Sequence, residues 1–146
     1  IKWPNDIYVG KKKIAGILIE NTINSSQLKQ SIVGVGLNVN QAEFSSELLN
    51  PTSIRLHLGK ELDISSFLEV VCVFLEKNYL LFKNNSDDKI DEVYHSYLYR
   101  YLQNTSFKKD GEYFESKIIG VNALGLLELE RHSRITTFSM GELTFV

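Results

Sequence analysis

The sequence contains 146 residues, a length typical of one domain, or of one small domain with part of another. Its composition of 43% hydrophobic and 23% charged residues disfavours the disordered and low-complexity classes. The net charge is −2, and neither side of residue 102 has the positive excess that nucleic-acid binding demands. The longest apolar run, residues 70–75, is far shorter than the roughly 20 residues of a membrane span. We expect a globular chain that binds neither nucleic acid nor membrane.

The single cysteine, Cys72, lies in an apolar helical pattern and has no second cysteine to pair with. This predicts a small buried hydrophobic side chain in a reducing, cytoplasmic protein. The first residue is Ile1, and no signal-type segment precedes Trp3. We therefore expect the chain to begin within a longer protein.

The first elements in chain order form a predicted β-hairpin. Residues 7–9 and 14–20 are apolar runs around a turn at residues 10–13, and the second run is apolar nearly throughout, which is typical of a central strand. Residues 31–40 predict a third strand. Its two glycines, Gly34 and Gly36, indicate that another group approaches the backbone closely there.

Helical patterns occupy the middle of the sequence. A turn and helix start at residues 50–53 lead to a short segment that ends at Gly59. Residues 63–83 predict a helix buried on most sides, with Ser66 and Glu69 at capping-box spacing. After a break at residues 84–86, the spacing of apolar residues predicts an amphipathic helix up to residue 102.

Beyond Gln103, short β-type runs alternate with turn signals, which favours a small barrel. We place the domain boundary near residues 102–105. No internal repeat is visible.

Several residues that could carry chemistry cluster near the start of the chain. Lys2 and residues 11–13 lie close in sequence to Asn5 and Asp6. A charged run seen alone is usually a solvated hairpin turn. The alternative is that these lysines gather at an anionic substrate, and spacing alone does not decide between the two.

Other motif classes are excluded or disfavoured. Gly34 and Gly36 lack the third glycine and the following helix of a dinucleotide fingerprint, and no Walker motif is present. The three histidines, His57, His95 and His132, show no metal-ligand spacing with Cys72, and we expect them to be surface or capping residues, with His95 on an exposed helix face. No structural metal is predicted, and no nucleophile–histidine pair is suggested.

Four segments together resemble the biotin protein ligases. They are KWPNDIY at residues 2–8, KIAGILIE at 13–20, VGVGLNVN at 33–40 and GELTF at 141–145. The resemblance implies an α+β fold: the latter half of a mixed-sheet catalytic domain of the class II synthetase and biotin ligase type over residues 1–102, followed by a small SH3-like β-barrel over 103–146.

The resemblance also implies a reaction, the ATP-dependent attachment of biotin to a lysine of a carboxylase biotin-carrier domain through biotinyl-AMP. Biotin and ATP are then substrates, and Mg²⁺ accompanies ATP. The implied catalytic residues are Lys13, which contacts the biotin carboxylate and the adenylate phosphate, Lys2 as a second cation, and Asp6, an alternative base for the incoming amine. Asn5 and Asp6 correspond to the polar pair near ATP and Mg²⁺.

The implied biotin-binding residues are Lys13, Gly16, Leu18, Gly34 and Gly36. The implied nucleotide-binding residues are Lys2, Asn5 and Asn38, of which Asn38 contacts adenine. The structural alternative for the glycines and Asn38 is a glycine-bearing core strand with a polar end. We expect Trp3 to pack rather than to contact a ligand.

One family motif, Gly-Arg-Gly-Arg upstream of residue 2, is not in this sequence. We therefore expect the chain alone to be inactive and to bind biotin and ATP with an affinity weaker than nanomolar. An unpaired sheet edge would allow a homodimer. Two other functions remain open: a non-catalytic protein-interaction module, and a relative of the lipoyl or octanoyl transferases.

Overall fold

A computed structural model describes residues 1–25, 27–84 and 87–146, with the side chains of residues 87 and 88 left aside. The elements in chain order are β1 (Asp6–Val9), β2 (Lys12–Asn24), β3 (Gln27–Leu37), α1 (Ile54–Leu58), α2 (Ile64–Asn84), α3 (Asp87–Ser96), β4 (Asn104–Lys109), β5 (Glu112–Val121), β6 (Leu127–Arg131), β7 (Arg134–Phe138) and β8 (Thr144–Phe145). They form two compact units. The β1–β3 unit runs from Asn5 to Asn84, and the β4–β8 unit combines Ile1–Pro4 with the chain from α3 to Val146.

The β1–β3 unit contains an antiparallel sheet in the order β1-β2-β3, so the prediction that the second strand is central is confirmed. Gly10 makes the first turn with a φ of 58°. The third strand begins earlier than predicted and ends at Leu37 rather than Asn40. The amide of Asn38 still donates to Ile14 O, and the chain then enters a loop in which the side chain of Asn40 bonds to Leu62.

The helix caps of this unit agree only in part with those predicted from the sequence. Ser53 caps α1 by accepting from the amide of Leu56 at 3.3 Å, and Gly59 closes the helix with a φ of 71°, as predicted. The predicted capping box of Ser66 and Glu69 is wrong, because the amide of Ser66 donates to Asp63 Oδ1 at 2.8 Å. This hydrogen bond lowers the pKa of the Asp63 carboxyl, and Asp63 is therefore the residue that caps α2.

The burial predicted for α2 is wrong. None of its residues is buried in the described chain, and Cys72 is exposed. The large exposed apolar side chains of this helix are Ile64, Leu68, Val70, Val73, Phe74, Leu75, Tyr79, Leu80, Leu81 and Phe82. An apolar pattern indicates that a surface avoids water, but it does not specify which segment covers that surface, and no described element covers this one.

The β4–β8 unit begins with α3, which is shorter than predicted. The helix ends at Ser96 rather than at residue 102, because the chain turns there and Arg100 and Leu102 adopt positive φ angles of 58°. α3 belongs to the same compact unit as the C-terminal strands. This division after Asn84 differs from the predicted boundary near residue 102, and the two predicted domains, 1–102 and 103–146, remain a prediction.

The sheet of this unit is antiparallel in the order β7-β6-β5-β4-β8. Its core includes Phe107, Ile118 and Leu127, each fully buried. Trp3 is also buried in this core and its Nε1 donates to Gly125 O at 2.9 Å, so its predicted packing role is confirmed. Among the described strands every pairing is antiparallel and β7 and β8 are unpaired sheet edges, so the SH3-like barrel stays a prediction.

His95 was expected on an exposed helix face, and this is wrong. It is half-buried, its Nε2 accepts from the amide of Val121 at 3.1 Å, and its ring stacks on Tyr101 with centroids 5.5 Å apart. The interaction could not be read from the helix pattern, because its partners come from later in the chain. None of the described helices is long and apolar enough to cross a membrane.

Candidate functional site

Two predicted site residues form an ion pair at the start of the first sheet. The Nζ atom of Lys13 on β2 lies 2.5 Å from Oδ1 of Asp6 on β1. The Lys13 side chain is 43% exposed and that of Asp6 is 22% exposed, so both remain accessible to a ligand. The lysine is therefore not one of the freely solvated turn residues, unlike Lys11 and Lys12, which are exposed.

A β-bulge places this pair. The register between β1 and β2 runs from Ile7 opposite Ala15 to Tyr8 opposite Lys13, which leaves Ile14 as an extra residue. In a regular strand, residues three apart point to opposite faces. The bulge reverses that alternation, so that Lys13 and Gly16 lie on one face, and bulges commonly re-aim side chains in this way.

The same face carries a row of residues across all three strands. Asp6 is opposite Gly16, and Gly16 is opposite Gly36. Directly opposite residues point to the same side of a sheet, and the next pair on that side is Leu18 with Gly34. All the residues predicted to bind biotin therefore share one face, which we call the glycine strip: Lys13, Gly16, Leu18, Gly34 and Gly36.

The glycines of the strip are not required by crowding within the chain. A Cβ added at Gly16 would lie 3.7 Å from Asp6 Oδ1 and from Lys13 Nζ, and one at Gly36 would lie 3.9 Å from Gly16 O. These are ordinary contact distances. The absent side chains instead leave a flat surface beside the ammonium group, on which a ring system can lie against the backbone.

The backbone of Lys13 is fixed on both sides. β1 pairs with it through Tyr8, and on the other side the amide of Lys13 donates to Asn50 O while its carbonyl accepts from the amide of Thr52, both at 2.8 Å. Thr52 is buried, with 2% of its surface exposed. This backbone pairing fixes the point from which the Lys13 side chain extends, and the ion pair with Asp6 orients its ammonium group.

Thr52 was not among the predicted site residues. Its carbonyl accepts from Nδ2 of Asn38 at 3.0 Å, and its hydroxyl lies 3.2 Å from Nε2 of His57. Thr52 therefore links Lys13 to Asn38. The sequence marked residues 50–53 as a turn and a helix start, but nothing in that pattern showed that the turn pairs with β2.

The other predicted residues lie apart from this cluster or are engaged through their backbone. The carbonyl of Asn5 accepts from the amide of Ile17 at 2.7 Å. Lys2 belongs to the β4–β8 unit, where its Nζ lies 4.8 Å from the centre of the Phe145 ring. The proposed cooperation of Lys2 with Lys13 remains a prediction. The described residues contain no group of three or more His, Cys, Asp or Glu side chains that could hold a metal ion.

Comparisons with known proteins identify the class. Residues 1–38 match the model of the Biotin/lipoate A/B protein ligase family. The chain is 30% identical over 138 residues to the bifunctional ligase/repressor BirA of Bacillus subtilis, a match that covers 92% of this chain and 42% of that protein. It is 33% identical over 98 residues to the chloroplastic biotin–protein ligase 1 of Arabidopsis thaliana, covering 65% of this chain and 26% of the relative.

Solved structures give the same result. The whole chain superposes on 64% of the apo biotin protein ligase from Aquifex aeolicus with a TM-score of 0.75 and 26% identity. It matches the same ligase in complex with biotin and ATP with a TM-score of 0.74 and 26% identity, covering 61% of that chain.

The sequence and structural similarities define the class of protein as the biotin and lipoate ligase type. Within that class, the chain resembles a C-terminal fragment of a biotin protein ligase. It spans about two fifths of the length of the Bacillus subtilis relative, for which the match covers 42%.

Proposed function

We propose that this chain supplies the acyl-adenylate half of a biotin protein ligase site, which attaches biotin to a lysine of a carboxylase biotin-carrier domain at the expense of ATP. The observation that carries this proposal is the ammonium group of Lys13, held 2.5 Å from Asp6 at the head of the glycine strip. The strip offers a flat surface for a ring system, and the cation lies where the carboxylate end of that ring system would reach.

The proposed reaction has two steps. An oxygen of the biotin carboxylate forms a bond to the α-phosphorus of ATP, and the bond from that phosphorus to the pyrophosphate oxygen breaks. The amine of the carrier lysine then forms an amide bond to the acyl carbon, AMP leaves with the bonding electrons of the acyl–oxygen bond, and the amine loses a proton to base. The first step brings two anionic groups together, the biotin carboxylate and the α-phosphate. In the second step, negative charge develops on the leaving phosphate.

Lys13 addresses this electrostatic problem. Two like charges about 4 Å apart repel by about 4 kcal/mol at an effective dielectric constant near 20. A fixed ammonium between the carboxylate and the phosphate offsets that repulsion and stabilises the leaving phosphate in the second step. The partner carboxylate of Asp6 keeps the lysine oriented before the substrates bind, and in our proposal it can accept the proton of the incoming amine.

We assign roles to the remaining residues of the glycine strip and to Asn38 from their positions on the sheet. Gly16 and Gly36 adjoin the lysine and would support the part of biotin nearest its carboxylate chain, while Leu18 and Gly34 lie one step further along the strip. Asn38 follows directly after β3, and its Nδ2 is held by Thr52 O. The amide of Asn38 would therefore present its oxygen to the amino group of adenine.

A Mg²⁺ ion fits this arrangement only together with nucleotide. Asp6 provides a carboxylate whose Oδ1 is engaged by Lys13, and Asn5 provides an amide side chain next to it in sequence. One or two protein oxygens plus phosphate oxygens and water are the usual ligands of Mg²⁺. The ion would neutralise the phosphates, and Lys2 would be a second cation for the nucleotide.

Other features of the intact enzyme are part of the same proposal. They are cytoplasmic location, action on a carrier domain, formation of a homodimer and inactivity of this chain by itself. β3 supports the homodimer, because it is an edge of the first sheet and Ile32, Val33 and Val35 on it are exposed.

The experiment that tests the site uses the chain as it stands. A hydrolysis-resistant sulfamoyl analogue of biotinyl-AMP is titrated into the isotopically labelled chain, and amide shifts are followed by NMR. We expect weak saturable binding with the largest shifts at Lys13, Gly16, Gly36 and Asn38, and loss of these shifts in the variant Lys13→Gln. The variant Lys12→Gln, which changes an adjacent exposed lysine, is the matched control. Shifts confined to other residues would contradict the proposal.

A second candidate acyl group is lipoate, because the family model matched by residues 1–38 covers lipoate ligases as well as biotin ligases. Competition between the biotinyl and lipoyl sulfamoyl analogues distinguishes the two. We expect the biotinyl analogue to displace the lipoyl analogue, and the reverse order would identify a lipoyl or octanoyl transferase relative.

A further inference from the structure

The inner face of the second sheet contains a cavity that the proposed ligase chemistry does not use. Its volume is about 440 Å³. It is lined by residues of β4 to β7 and of the turn between β4 and β5, and its floor is formed by Phe114, Leu129 and Phe138. Leu129 and Phe138 belong to the buried core and Phe114 packs against it, so the floor is firm and apolar.

Cations border this floor. Lys109 Nζ lies 5.1 Å from the centre of the Phe138 ring, and the guanidinium carbon of Arg131 lies 5.9 Å from the centre of the Phe114 ring. Both distances are within the range of cation–π attraction. The rings of Phe114 and Phe138 are themselves 6.3 Å apart in a stacked arrangement. The cations are therefore held against the aromatic floor rather than extended into water.

A third cation belongs to the same group. Arg134 is directly opposite Arg131 at the β6–β7 turn, and it lies on the same face as Thr136 and Phe138 because residues two apart on a strand share a face. Like charges directly opposite each other on a sheet are destabilising. In the part of the chain that the structure describes, no carboxylate forms an ion pair with Lys109, Arg131 or Arg134. An anionic group between the two arginines would relieve their repulsion.

The cavity adjoins an open sheet edge. β7 is the outermost strand of its sheet, and Ile135 on it is 62% exposed. The two-residue turn makes Arg131 and Arg134 a hydrogen-bonded pair, so the alternation of ladder bonds leaves the amide and carbonyl groups of Ile135 and Thr137 directed to the outer edge. An extended peptide can add to such an edge through its backbone.

We propose that this surface, formed by β7 and the cavity with Lys109, Arg131 and Arg134, binds an extended acidic peptide segment of a partner protein. The segment pairs with the outer edge of β7. Apolar side chains on one of its faces enter the cavity, and an acidic side chain lies between the arginines, whose planar guanidinium groups suit a carboxylate.

Two features of the surface bear on the choice of partner. Asp110 and Glu112 also line the cavity, at the β4–β5 turn, so the acidic side chain belongs at the β6–β7 end. Residues 103–146 contain five Lys and Arg against six Asp and Glu, so this part of the chain has no overall positive charge that would favour nucleic acid. The local cations beside an apolar floor and a strand edge therefore favour a peptide.

The test measures binding of a fluorescein-labelled peptide of alternating glutamate and valine to the whole chain by fluorescence anisotropy. A peptide of alternating lysine and valine is the charge control. We expect saturable binding of the glutamate peptide and at least about tenfold weaker binding of the lysine peptide. Two further peptides are methylated on alternate backbone nitrogens, one on the odd-numbered and one on the even-numbered positions. The peptide whose methylated nitrogens face β7 cannot donate to that strand, so it should bind about tenfold more weakly than the unmethylated peptide.

Variants of the chain complete the test. The double variant R131Q/R134Q should weaken binding of the glutamate peptide by about tenfold or more, whereas K60Q/K89Q, which removes two exposed charges elsewhere, should leave it unchanged. NMR shifts of the Ile135 and Thr137 amides on peptide addition give a second readout, and circular dichroism shows that the variants are folded. Equal binding of both peptides, equal effects of the two double variants, or binding of an oligothymidine in place of the glutamate peptide would each overturn the proposal. Because none of these measurements involves biotin or nucleotide, their failure would leave the proposed ligase function unaffected.

Discussion

Lys13 and Gly16 lie on the same face of β2 although they are three positions apart in one strand. The extra residue, Ile14, is buried together with Ala15, so the bulge is fixed by packing as well as by its hydrogen bonds. The consequence is chemical. Without the bulge the ammonium group would point to the face opposite the glycine strip, and the ion pair with Asp6 could not lie beside it.

The first prediction concerns Lys13. Replacing it by glutamine should weaken binding of the biotinyl-AMP sulfamoyl analogue by at least about tenfold, because a charge-assisted contact to an anionic ligand is lost. Stability should fall by less than about 1 kcal/mol, since exposed ion pairs contribute little. Isothermal titration of the analogue and urea unfolding measure the two effects. Lys12→Gln should change neither, and an equal loss of affinity in both variants would show that net charge, not position, is responsible.

The second prediction concerns Gly36. The variant Gly36→Val should remain folded, with a change in unfolding free energy within about 1 kcal/mol, because an added Cβ meets its nearest neighbour, Gly16 O, at 3.9 Å and valine favours strands. The analogue should bind at least about tenfold more weakly, because the new side chain occupies the strip. Gln30→Val, on the same face at the far end of β3, is the control. If Gly36→Val binds the analogue with unchanged affinity, biotin does not bind to this face of the sheet.

Much of the first sheet could be predicted from local sequence. The turn at Gly10, the apolar run of β2 and the caps at Ser53 and Gly59 each depend on residues close together in the chain, and the structure confirms them. The resemblance to biotin ligases then selected Lys13 from three consecutive lysines, which spacing alone could not do.

The parts that the sequence did not reveal depend on distant residues. The bulge at Ile14 requires the β1 register, and Thr52 acquires its role only because the segment after Asn50 pairs with Lys13. His95 shows the same limitation, since its partner Val121 lies 26 residues later. The exposure of α2 is of another kind: the pattern correctly shows apolar surface but does not identify the segment that would cover it.

The third prediction concerns His95. Replacing it by leucine should lower the unfolding free energy by about 1–3 kcal/mol, because the amide of Val121 loses its acceptor and the Tyr101 ring loses its stacking partner. Urea unfolding followed by tryptophan fluorescence measures the loss, since Trp3 lies in the same unit.

A second variant tests the same contact from the other side. A Cβ at Gly120 would lie 3.1 Å from His95 Nε2, and the φ of 156° there disfavours a side chain, so Gly120→Ala should also destabilise the unit. His132→Asn is the histidine control, because His132 lies in an exposed turn and asparagine tolerates its positive φ of 50°. A stability of His95→Leu equal to that of the unsubstituted chain would show that water replaces the imidazole at Val121.

The fourth prediction is a pH dependence at the start of α2. The hydrogen bond from Ser66 lowers the pKa of Asp63 below its ordinary value of 3.8, so the unfolded carboxyl binds protons more readily than the folded one. The stabilisation by the charged cap is therefore complete above that value and is lost as the pH falls through the lower pKa of the folded state.

The measurement is far-UV circular dichroism of the chain and of Asp63→Asn during acid titration. The asparagine retains an acceptor for the amide of Ser66 but carries no charge. Above the ordinary pKa of aspartate, the original chain should be more helical than the Asp63→Asn variant. This difference in helicity should vanish at lower pH. Glu69→Gln, further along the helix, should not reproduce this behaviour. A difference that persists at the lowest pH would assign the effect to shape rather than to charge.

The last prediction concerns the openness of the candidate site. In this chain Leu18 is 55% exposed and the Lys13 side chain is 43% exposed, so the glycine strip is a surface rather than an enclosed pocket. Tight binding of a small ligand requires burial of most of its surface, and a mixed anhydride persists only where water is excluded. We therefore expect calorimetric titration with biotin and ATP to show no nanomolar binding, and we expect biotinyl-AMP added to the chain to hydrolyse as fast as it does in buffer. Nanomolar affinity, or protection of the adenylate that Lys13→Gln abolishes and Lys12→Gln preserves, would show that this chain encloses the acyl-adenylate by itself.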